Sequence, residues 1–554
     1  MSKTKWRRNA MLTRMHGAIA AFFLALACVH ADTAQIIAQH WRADMDYLAQ
    51  QAAQIHPKLF HAMTPQQWDT ALEQAKRAPF ETREEQIVAI MRLVATIQDA
   101  HNEIEFPCGQ GNATNYPLRL VWFSQGIVID AAPPENASIV GGTLQAIDDT
   151  PIGKVWSQLL PLISHDAGNV EGGLQAHPTI YLTCSGILHA LGITHQSGSA
   201  RYTVEVRGTT VHATLRPSVS WLDVVQPVTV VPANDWVQAP ARPPLWLSRP
   251  RRMFWYAYLA RERVLYVQLN NVLDGPDETL AHFASRLTNA IAKQKPQRLI
   301  LDLRLNTGGD NTLLRPLVMS LIQAPVNRPG ALFVLIGPET FSAAQNLCDR
   351  LQYDSNAVFI GQPTADNVNF YADIRPIVLP NTKIEVHISH LYWQDGDPRD
   401  RRAALYPDVA VDPSLDDFLA GRDRALSAAL AYKPEMSLEE RLRAASALGF
   451  DRAYREYVAF VGDPRHKYVH GLERRLNTLA YDLLSKKTPA KAVVVFRINT
   501  TAHPTSSNAW GSLGDGYAAA GLKDDAIGAY RRSIEIDPTN ADAASSLHSI
   551  TGAP

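Results

Sequence analysis

Residues 299–309 read LILDLRLNTGG, in which an apolar run passes into a polar turn that ends on two glycines. A short, continuous apolar run bounded by turn residues is typical of a buried strand. Helical stretches at 276–293 and from about 341 onward separate further runs of this kind. These runs are VLYVQL at 264–269, LFVLI at 332–336 and AVFI at 357–360. Strands that alternate with helices predict a mainly parallel α/β sheet with helical cover, the core of a region at 253–432.

The length and composition of the chain limit the classes of protein it can be. Its 554 residues exceed what one hydrophobic core can hold, so several domains are expected. Apolar residues make up 46% and charged residues 19%, a mixture typical of globular domains rather than disordered or coiled-coil chains. The formal net charge is -1, so nothing indicates a basic surface, and we expect no nucleic-acid partner.

The N-terminus has the layout of a secretory signal peptide. Basic residues precede a mostly apolar, uncharged run at 18–29, and the first acidic residue is Asp32. The run is shorter than the roughly 20 residues that a membrane helix needs. The pattern predicts a signal peptide at 1–31, a periplasmic or secreted location, and no integral membrane span in the mature chain. Lipid attachment at Cys28 is the weaker alternative, because the residues before it fit a lipid-attachment box poorly.

Three regions with different patterns lie between the signal and the core. Residues 32–107 read as helical, with a capping box that begins at Thr82. Residues 108–217 are poor in helical periodicity and carry alternating runs such as RYTVEVR at 201–207, which predict strands. Residues 218–252 are rich in proline and predict a linker or an extended crossing segment.

The C-terminal region at 433–554 contains an internal repeat. With a period of 34 residues, Leu479, Ala492, Phe496 and Pro504 align with Leu513, Ala526, Tyr530 and Pro538. This pattern is similar to the tetratricopeptide consensus, so an all-α repeat module is expected. We expect it to dock on its neighbours, including helices at about 437–470, through the faces that carry Leu479, Phe496 and Tyr530. Its groove is a candidate site for a protein partner, and a plain helical buttress is the alternative.

Ser342 lies where a strand is predicted to end and a helix to begin, in the segment TFSAA at 340–344. A hydroxyl at this point faces the crevice at the carboxyl edge of the sheet, and the helix N-terminus favours negative charge that develops nearby. Ser342 is therefore a candidate nucleophile. The alternative is that it only caps the helix, as serine frequently does at such positions.

Two further segments carry groups that a nucleophilic serine needs. The amides of Gly308 and Gly309, with that of Ala343, can approach a substrate carbonyl closely and form an oxyanion hole. A plain turn is the alternative. His101, just after a predicted helix, is a candidate base because a serine hydroxyl is a weak nucleophile at neutral pH. A surface or capping histidine is the alternative there.

Several motifs together resemble those of the tail-specific (C-terminal processing) serine peptidase family. They are Asp99-Ala-His101, LDLRLNTGG at 301–309, TFSAA at 340–344, GQPT at 361–364 and Pro407-Asp408-Val409. The resemblance spans roughly residues 85–430 and points to the branch that includes tricorn core proteases and the interphotoreceptor retinoid-binding protein. It implies a crotonase/ClpP-like α/β catalytic core and a serine-type endopeptidase that attacks peptide or protein substrates with Ser342. It implies no metal or organic cofactor, and it places 108–217 where the family often inserts a PDZ-like domain.

One position departs from the family pattern. Peptidases of the bacterial type use a lysine base about 25 residues after the serine, and this chain has Asn367 there. An amide cannot accept the proton, so a Ser-Lys dyad is excluded at this position. The resemblance to tricorn-like members implies His101 as the base and Asp400 as the orienting acid, with Asp397 and Asp395 as rivals. The departure also keeps a second hypothesis open, a catalytically inactive protein of this fold that binds a ligand or peptide.

Cysteine and histidine usage gives no support for a metal site. No C-x-x-C pair or H-E-x-x-H motif occurs in the sequence. His387 and His390 fall in a predicted strand at 384–391, where positions three apart point to opposite faces. Removal of the signal leaves three cysteines, namely Cys108, Cys184 and Cys348. Three cysteines can form at most one internal disulfide.

Overall fold

The computed structural model describes residues 35–104, 108, 114–169, 178–219 and 236–552. The predicted signal peptide at 1–31, with Cys28, and residues 220–235 of the predicted linker lie outside these residues. Within the described part of the chain, no helix is long and apolar enough to cross a membrane.

Three helices and a short strand begin the described chain: α1 at 35–55, α2 (Pro65–Arg77), α3 (Arg83–Ala95) and β1 (Glu103–Ile104). The predicted capping box is confirmed, because Thr82 and Glu85 exchange hydrogen bonds between their side chains and backbone amides at the start of α3. His101 lies in the loop between α3 and β1, as predicted.

The described residues of the β-rich region that follows form seven strands and three short helices: β2 (Arg119–Phe123), β3 (Gly126–Ala132), β4 (Thr143–Ile147), β5 (Thr150–Pro151), α4 (Ile152–Leu159), α5 (Pro178–Thr183), α6 (Ser185–Ala190), β6 (Ala200–Val206), β7 (Thr209–Leu215) and β8 (Val237–Gln238). The strands form an antiparallel sheet in the order β2-β3-β4-β6-β7, with β5 on β4 and β8 on β3. The predicted strand at 201–207 is confirmed. The three helices span only six to eight residues each, too few for helical periodicity to show in the sequence.

The α/β core contains the following elements in chain order: β9 (Phe254–Leu259), β10 (Val264–Leu269), α7 (Leu280–Gln294), β11 (Arg298–Asp302), α8 (Arg315–Ile322), β12 (Leu332–Ile336), α9 (Ala343–Asp354), β13 (Val358–Gly361), β14 (Phe370–Val378), β15 (Glu385–Trp393), β16 (Val409–Ala410), α10 (Leu415–Leu419) and α11 (Arg424–Ala431). Six strands form one sheet in the order β16-β13-β12-β11-β10-β9. All neighbours pair in parallel except β9, which is antiparallel to β10. The predicted mainly parallel sheet is confirmed.

Both faces of this sheet are covered. Leu299 and Leu301 of β11 belong to a buried cluster with residues of α7, α8 and α9. Ile300, between them, packs in a second cluster with Ala425 and Ala429 of α11. Alternate strand residues therefore serve opposite layers. Binding and active sites of parallel sheets lie in the crevice at the carboxyl ends of the strands, so we expect the site there.

A second hydrophobic core joins regions that are distant in sequence. β14 and β15 form a hairpin, and β1 pairs with β15. The hairpin residues Ile377, Val386 and Ile388 share one buried cluster with α1–α3 and the β-rich sheet. The loop that carries His101 is therefore anchored on both sides by the same core.

The C-terminal region consists of helices: α12 (Leu438–Ala445), α13 (Phe450–Val461), α14 (Leu472–Ser485), α15 (Pro489–Ala502), α16 (Ser507–Ala519), α17 (Lys523–Ile536) and α18 (Ala541–Thr551). Leu479 and Phe496 pack in one cluster with α12 and α13, the helices expected to complete the packing. Tyr530 packs separately with Ala526 and Ala543.

Polar and aromatic contacts connect these helices to the α/β core. The rings of Tyr406 and Tyr468 stack with centroids 5.8 Å apart, and Lys467 lies 3.1 Å from Asp412. Cys108 and Cys184 form a disulfide, whereas Cys348 is free and buried.

Candidate active site

Ser342 lies directly before α9, in the loop that follows β12. Its backbone has φ 57° and ψ -123°, a conformation that is strained for a residue with a side chain. The side chain forms no capping hydrogen bond to the helix, so the alternative role predicted for this serine is not seen. This strained, half-buried serine thus lies at the carboxyl edge of the parallel sheet, where sheets of this kind place their sites.

The Gly-Gly turn after β11 lies against this serine. Gly308 and Gly309 have φ values of 110° and 133°, which favour glycine. A Cβ at Gly308 would lie 2.5 Å from Cβ of Ser342 and 3.0 Å from the amide nitrogen of Ala343. The structure therefore brings together the residues that the sequence predicts for nucleophile and oxyanion hole.

The amides of this cluster are not all free to bind an oxyanion. The Gly308 amide donates to Oδ1 of Asn306 at 2.9 Å, so Gly308 is already engaged, contrary to the prediction. The amides of Gly309 and Ala343 donate no hydrogen bond to any described residue. These two amides are the available donors.

Asn306 is a site residue that the sequence analysis did not single out. It is fully buried, its Nδ2 donates to the carbonyl of Leu269 at 3.1 Å, and its own carbonyl accepts the N–H of Phe341 at 3.1 Å. It thus ties the end of β10, the glycine turn and the serine loop together. The signal for it was present, because it lies inside the LDLRLNTGG motif.

His101 is enclosed by two aromatic rings next to Ser342. Its ring stacks on Phe341 with centroids 4.3 Å apart and on Phe370 at 5.6 Å. Its backbone N–H donates to Asp99 at 2.9 Å. Neither ring nitrogen has a hydrogen-bond partner of good geometry among the described residues, although the backbone of Tyr371 lies close enough to raise the pKa of the ring. The imidazole is therefore held mainly by stacking between these two rings.

Asp366 is the carboxylate that reaches both His101 and Ser342. Its Oδ1 lies 3.8 Å from Nδ1 of His101, and its Oδ2 accepts the backbone N–H of Ser342. The side chain is fully buried. Asp366 lies two residues after the GQPT motif and directly precedes Asn367. Its proximity to His101 cannot be read from sequence spacing.

Asp400, the predicted orienting acid, is committed elsewhere, which corrects that assignment. Its carboxylate is bound by the guanidinium of Arg402 at 2.7 Å. The two rival aspartates are also bound by arginines, in the pairs Asp397–Arg399 at 2.9 Å and Asp395–Arg350 at 2.8 Å. An arginine that occupies the carboxylate in this way leaves it poorly placed to serve a histidine.

Burial sets the protonation of the site. It lowers the pKa of His101 to about 4, against the opposing charges of Asp99 and Asp373, so the imidazole is neutral at pH 7. Burial, with the nearby charge of Asp166, raises the pKa of Asp366 well above its ordinary value, although the N–H of Ser342 opposes this. The site thus combines a neutral imidazole with a carboxyl group that is costly to ionise.

The remaining predicted positions have structural partners. The Asn367 side chain donates to the carbonyl of Ala167 at 3.3 Å. His387 contacts Glu385 at 3.2 Å, and His390 contacts the carbonyl of Asp373. Among the residues that the structure describes, no group of three or more His, Cys, Asp or Glu side chains is placed to hold a metal ion.

No protein-family model and no curated protein matches this sequence. Solved structures do match its fold. A structure of mature CPAF in complex with lactacystin is 12% identical, with a TM-score of 0.50, and the match covers 71% of this chain and 97% of that chain. A mutant of CPAF is 11% identical, with a TM-score of 0.53 and coverage of 72% and 99%.

A third solved structure, the photosystem II D1 C-terminal processing protease, is 15% identical over 69% of this chain and 98% of that chain. Its TM-score of 0.35 is too low to carry weight. At these low sequence identities the comparisons show similarity of fold alone. The chain has an α/β fold like that of CPAF.

Proposed function

We propose that this chain is an exported serine peptidase that cleaves peptide bonds with Ser342 as nucleophile and His101 as base. Asp366 replaces Asp400 as the orienting acid, and the amides of Gly309 and Ala343 bind the oxyanion. The core is then a crotonase/ClpP-like catalytic domain, the β-rich region takes the place of a PDZ-like module, and the C-terminal helices are tetratricopeptide repeats.

One observation carries the proposal. A single buried carboxylate, Asp366, contacts the backbone of Ser342 and lies 3.8 Å from the ring of His101. Hydrogen bonds between nitrogen and oxygen form at about 2.7–3.2 Å, so a movement of less than about 1 Å closes this pair. Catalytic hydrogen bonds are often long in free enzymes and shorten when substrate binds.

The arrangement supports acyl transfer in two steps. The Oγ of Ser342 attacks the peptide carbonyl, its proton passes to His101, and the carbonyl electrons move to an oxyanion held by the Gly309 and Ala343 amides. The carbon–nitrogen bond then breaks, and the protonated His101 gives its proton to the leaving amine. Water, deprotonated by His101, releases the acyl group as a carboxylic acid and restores the serine.

Labelling with a fluorophosphonate probe tests the nucleophile. We expect the folded wild-type protein to gain one probe adduct by intact mass and Ser342→Ala to gain none. Ser414 is the matched control, because it also precedes a helix without a capping side-chain bond but has an extended backbone. Ser414→Ala should therefore label like wild type. A folded wild-type protein that does not label would favour the ligand-binding hypothesis that Asn367 raised.

Export is the second part of the proposal. The N-terminal pattern supports it, and so does the disulfide between Cys108 and Cys184, because disulfides persist in oxidising compartments. Expression with its native N-terminus in a bacterial host should yield a periplasmic chain that begins near residue 32. A chain that keeps residues 1–31 and stays inside the cell would contradict export.

The C-terminal helices offer a place for a protein partner. A cavity of about 600 Å³ opens along α14 and the start of α16. Polar residues line it, among them Glu473, Arg474, Asn477, Tyr481 and Asn508, but the apolar parts of the lining residues make up most of its surface. A groove between stacked helix pairs that offers apolar surface together with side-chain hydrogen-bonding groups suits an extended peptide.

A further inference from the structure

Asp166 belongs to the β-rich region but lies at the candidate active site. It follows α4 in the chain and is only 3% exposed. Its Oδ1 accepts the N–H of Ala100 at 3.0 Å, and its Oδ2 accepts the N–H of Asn367 at 2.8 Å. Ala100 directly precedes His101, and Asn367 directly follows Asp366. One carboxylate therefore holds the loops of the proposed base and the proposed acid.

Neighbouring contacts extend this connection. Asn169 donates its side-chain N–H to the carbonyls of Ala365 at 2.8 Å and Thr364 at 3.2 Å. The side chain of Asn367 returns a bond to the carbonyl of Ala167 at 3.3 Å. The segment 166–169 is thus hydrogen-bonded to residues on both sides of Asp366.

We propose that Asp166 is a positioning residue of the active site, through which the β-rich region sets the distance between His101 and Asp366. It touches no reacting atom in the proposed mechanism. We call the two hydrogen bonds from Asp166 to the N–H groups of Ala100 and Asn367 the clamp. The kinetic consequence of this inference rests on the proposed peptidase function, but the clamp itself can be tested without any activity. It makes the β-rich region part of the catalytic machinery in addition to any role in substrate binding.

The charges around the clamp give Asp166 an effect that a purely structural residue lacks. Asp366 faces the carboxylates of Asp166, Asp99 and Asp349 as well as the ring of His101, which in turn faces Asp373. Burial, and next the charge of Asp99, raise the pKa of Asp166 to about 7, against its two backbone N–H partners.

The charge of Asp166 in turn contributes to the raised pKa of Asp366. An uncharged residue at position 166 should therefore let Asp366 ionise at lower pH. Loss of the clamp and loss of the charge thus have separate signatures, one in loop exchange and one in the pH profile.

Hydrogen exchange on the full chain tests the clamp. Asp166→Asn keeps the shape of the side chain but removes one acceptor, so peptides that cover Ala100 or Asn367 should exchange at least about tenfold faster than in wild type. Asp148 offers a matched control, because this buried aspartate of the β-rich region also accepts two backbone N–H groups, from His195 and Arg201.

Asp148→Asn should speed exchange around its own partners and leave the active-site loops unchanged. If Asp166→Asn does not fold, Asp166→Glu carries the same measurement, because the longer side chain misplaces both acceptors. Unchanged exchange at Ala100 and Asn367 in the folded variant would overturn the proposal.

The pH dependence of kcat/KM on a short peptide substrate tests the kinetic role. Asp166→Asn should lower kcat at least about tenfold with KM little changed, and should move the acid limb to lower pH by about one unit. Asp166→Glu should lower kcat but keep the limb of wild type. An unchanged kcat and limb in Asp166→Asn would contradict the kinetic role. An inactive wild-type protein would contradict the proposed function. Hydrogen exchange would still show whether Asp166 holds the loops that carry Ala100 and Asn367.

Discussion

The Nδ1 atom of His101 lies 3.8 Å from the nearer carboxylate oxygen of Asp366, although the two residues come from different parts of the fold. His101 follows α3 in the helical N-terminal region, and Asp366 follows β13 of the α/β core. Since the core sheet and the N-terminal helices have separate hydrophobic clusters, the pair depends on how the two parts dock. The site is thus assembled between structural units rather than within one loop.

Replacement of the two candidate acids should separate their roles. Asp366→Asn should lower kcat by about two orders of magnitude or more, because the imidazole loses the carboxylate that fixes its tautomer. Asp400→Asn should leave kcat within a few-fold and cost about 1 kcal/mol of stability through its pair with Arg402. Steady-state kinetics and urea unfolding measure the two effects. The reverse ranking of the two kcat values would restore Asp400 as the acid.

The acid limb of activity should be set by Asp366 and not by His101. The proposed mechanism needs a neutral His101 and an ionised Asp366. Burial lowers the pKa of His101 to about 4, so that imidazole is ready above this pH. Burial also raises the pKa of Asp366, so kcat/KM should climb with pH only as this carboxyl loses its proton. A pH profile that is already flat above pH 4 would contradict this assignment.

A methyl group at Gly308 should disable the site. Its Cβ would lie 2.5 Å from Cβ of Ser342, and the backbone φ of 110° is strained for alanine. Gly308→Ala should therefore lower kcat at least about 100-fold, because the serine and the oxyanion donors shift. Gly337→Ala in the neighbouring loop is the control, since its Cβ would meet nothing closer than Arg304 Cγ at 3.7 Å. Equal activity of both variants would mean that the turn does not support Ser342.

A charge change in the C-terminal groove should show whether the helices recruit a protein substrate or only support the core as a buttress. Deletion of residues 474–554 would remove Leu479 and Phe496 from the core that they share with α12 and α13, and we expect it to lower the melting temperature. Arg474→Glu is the sharper variant, with Lys523→Glu on the exposed start of α17 as control.

If the groove recruits substrate, Arg474→Glu should weaken cleavage of a folded protein several-fold and leave cleavage of a short peptide unchanged. An equal effect of Arg474→Glu on both substrates would favour the buttress.

Local patterns in the sequence predicted local structure well. The runs at 264–269 and 332–336 coincide with β10 and β12, because continuous apolar residues are required where a strand is buried on both faces. The capping box at Thr82 and the turn at Gly308 were also visible, since each depends on residues close together in the chain.

Long-range relationships could not be predicted in the same way. Asp366 stands beside the position where the family pattern has a lysine, but no spacing rule connects it with His101. Asp166 lies in a region recognised only as β-rich, and its hydrogen bonds to Ala100 and Asn367 arise from docking of three segments. Asp400 carries a carboxylate in a plausible place in the sequence, and only the structure shows that Arg402 already occupies it.

Cleavage of a mixed peptide library, followed by mass spectrometry of the products, tests the central claim most directly. The account predicts that the wild-type protein produces new peptide termini. It predicts that Ser342→Ala abolishes them and that His101→Ala reduces the rate by about 100- to 10,000-fold. Cleavage that persists undiminished in folded Ser342→Ala, or its complete absence in folded wild-type protein across pH 5 to 9, would contradict the account.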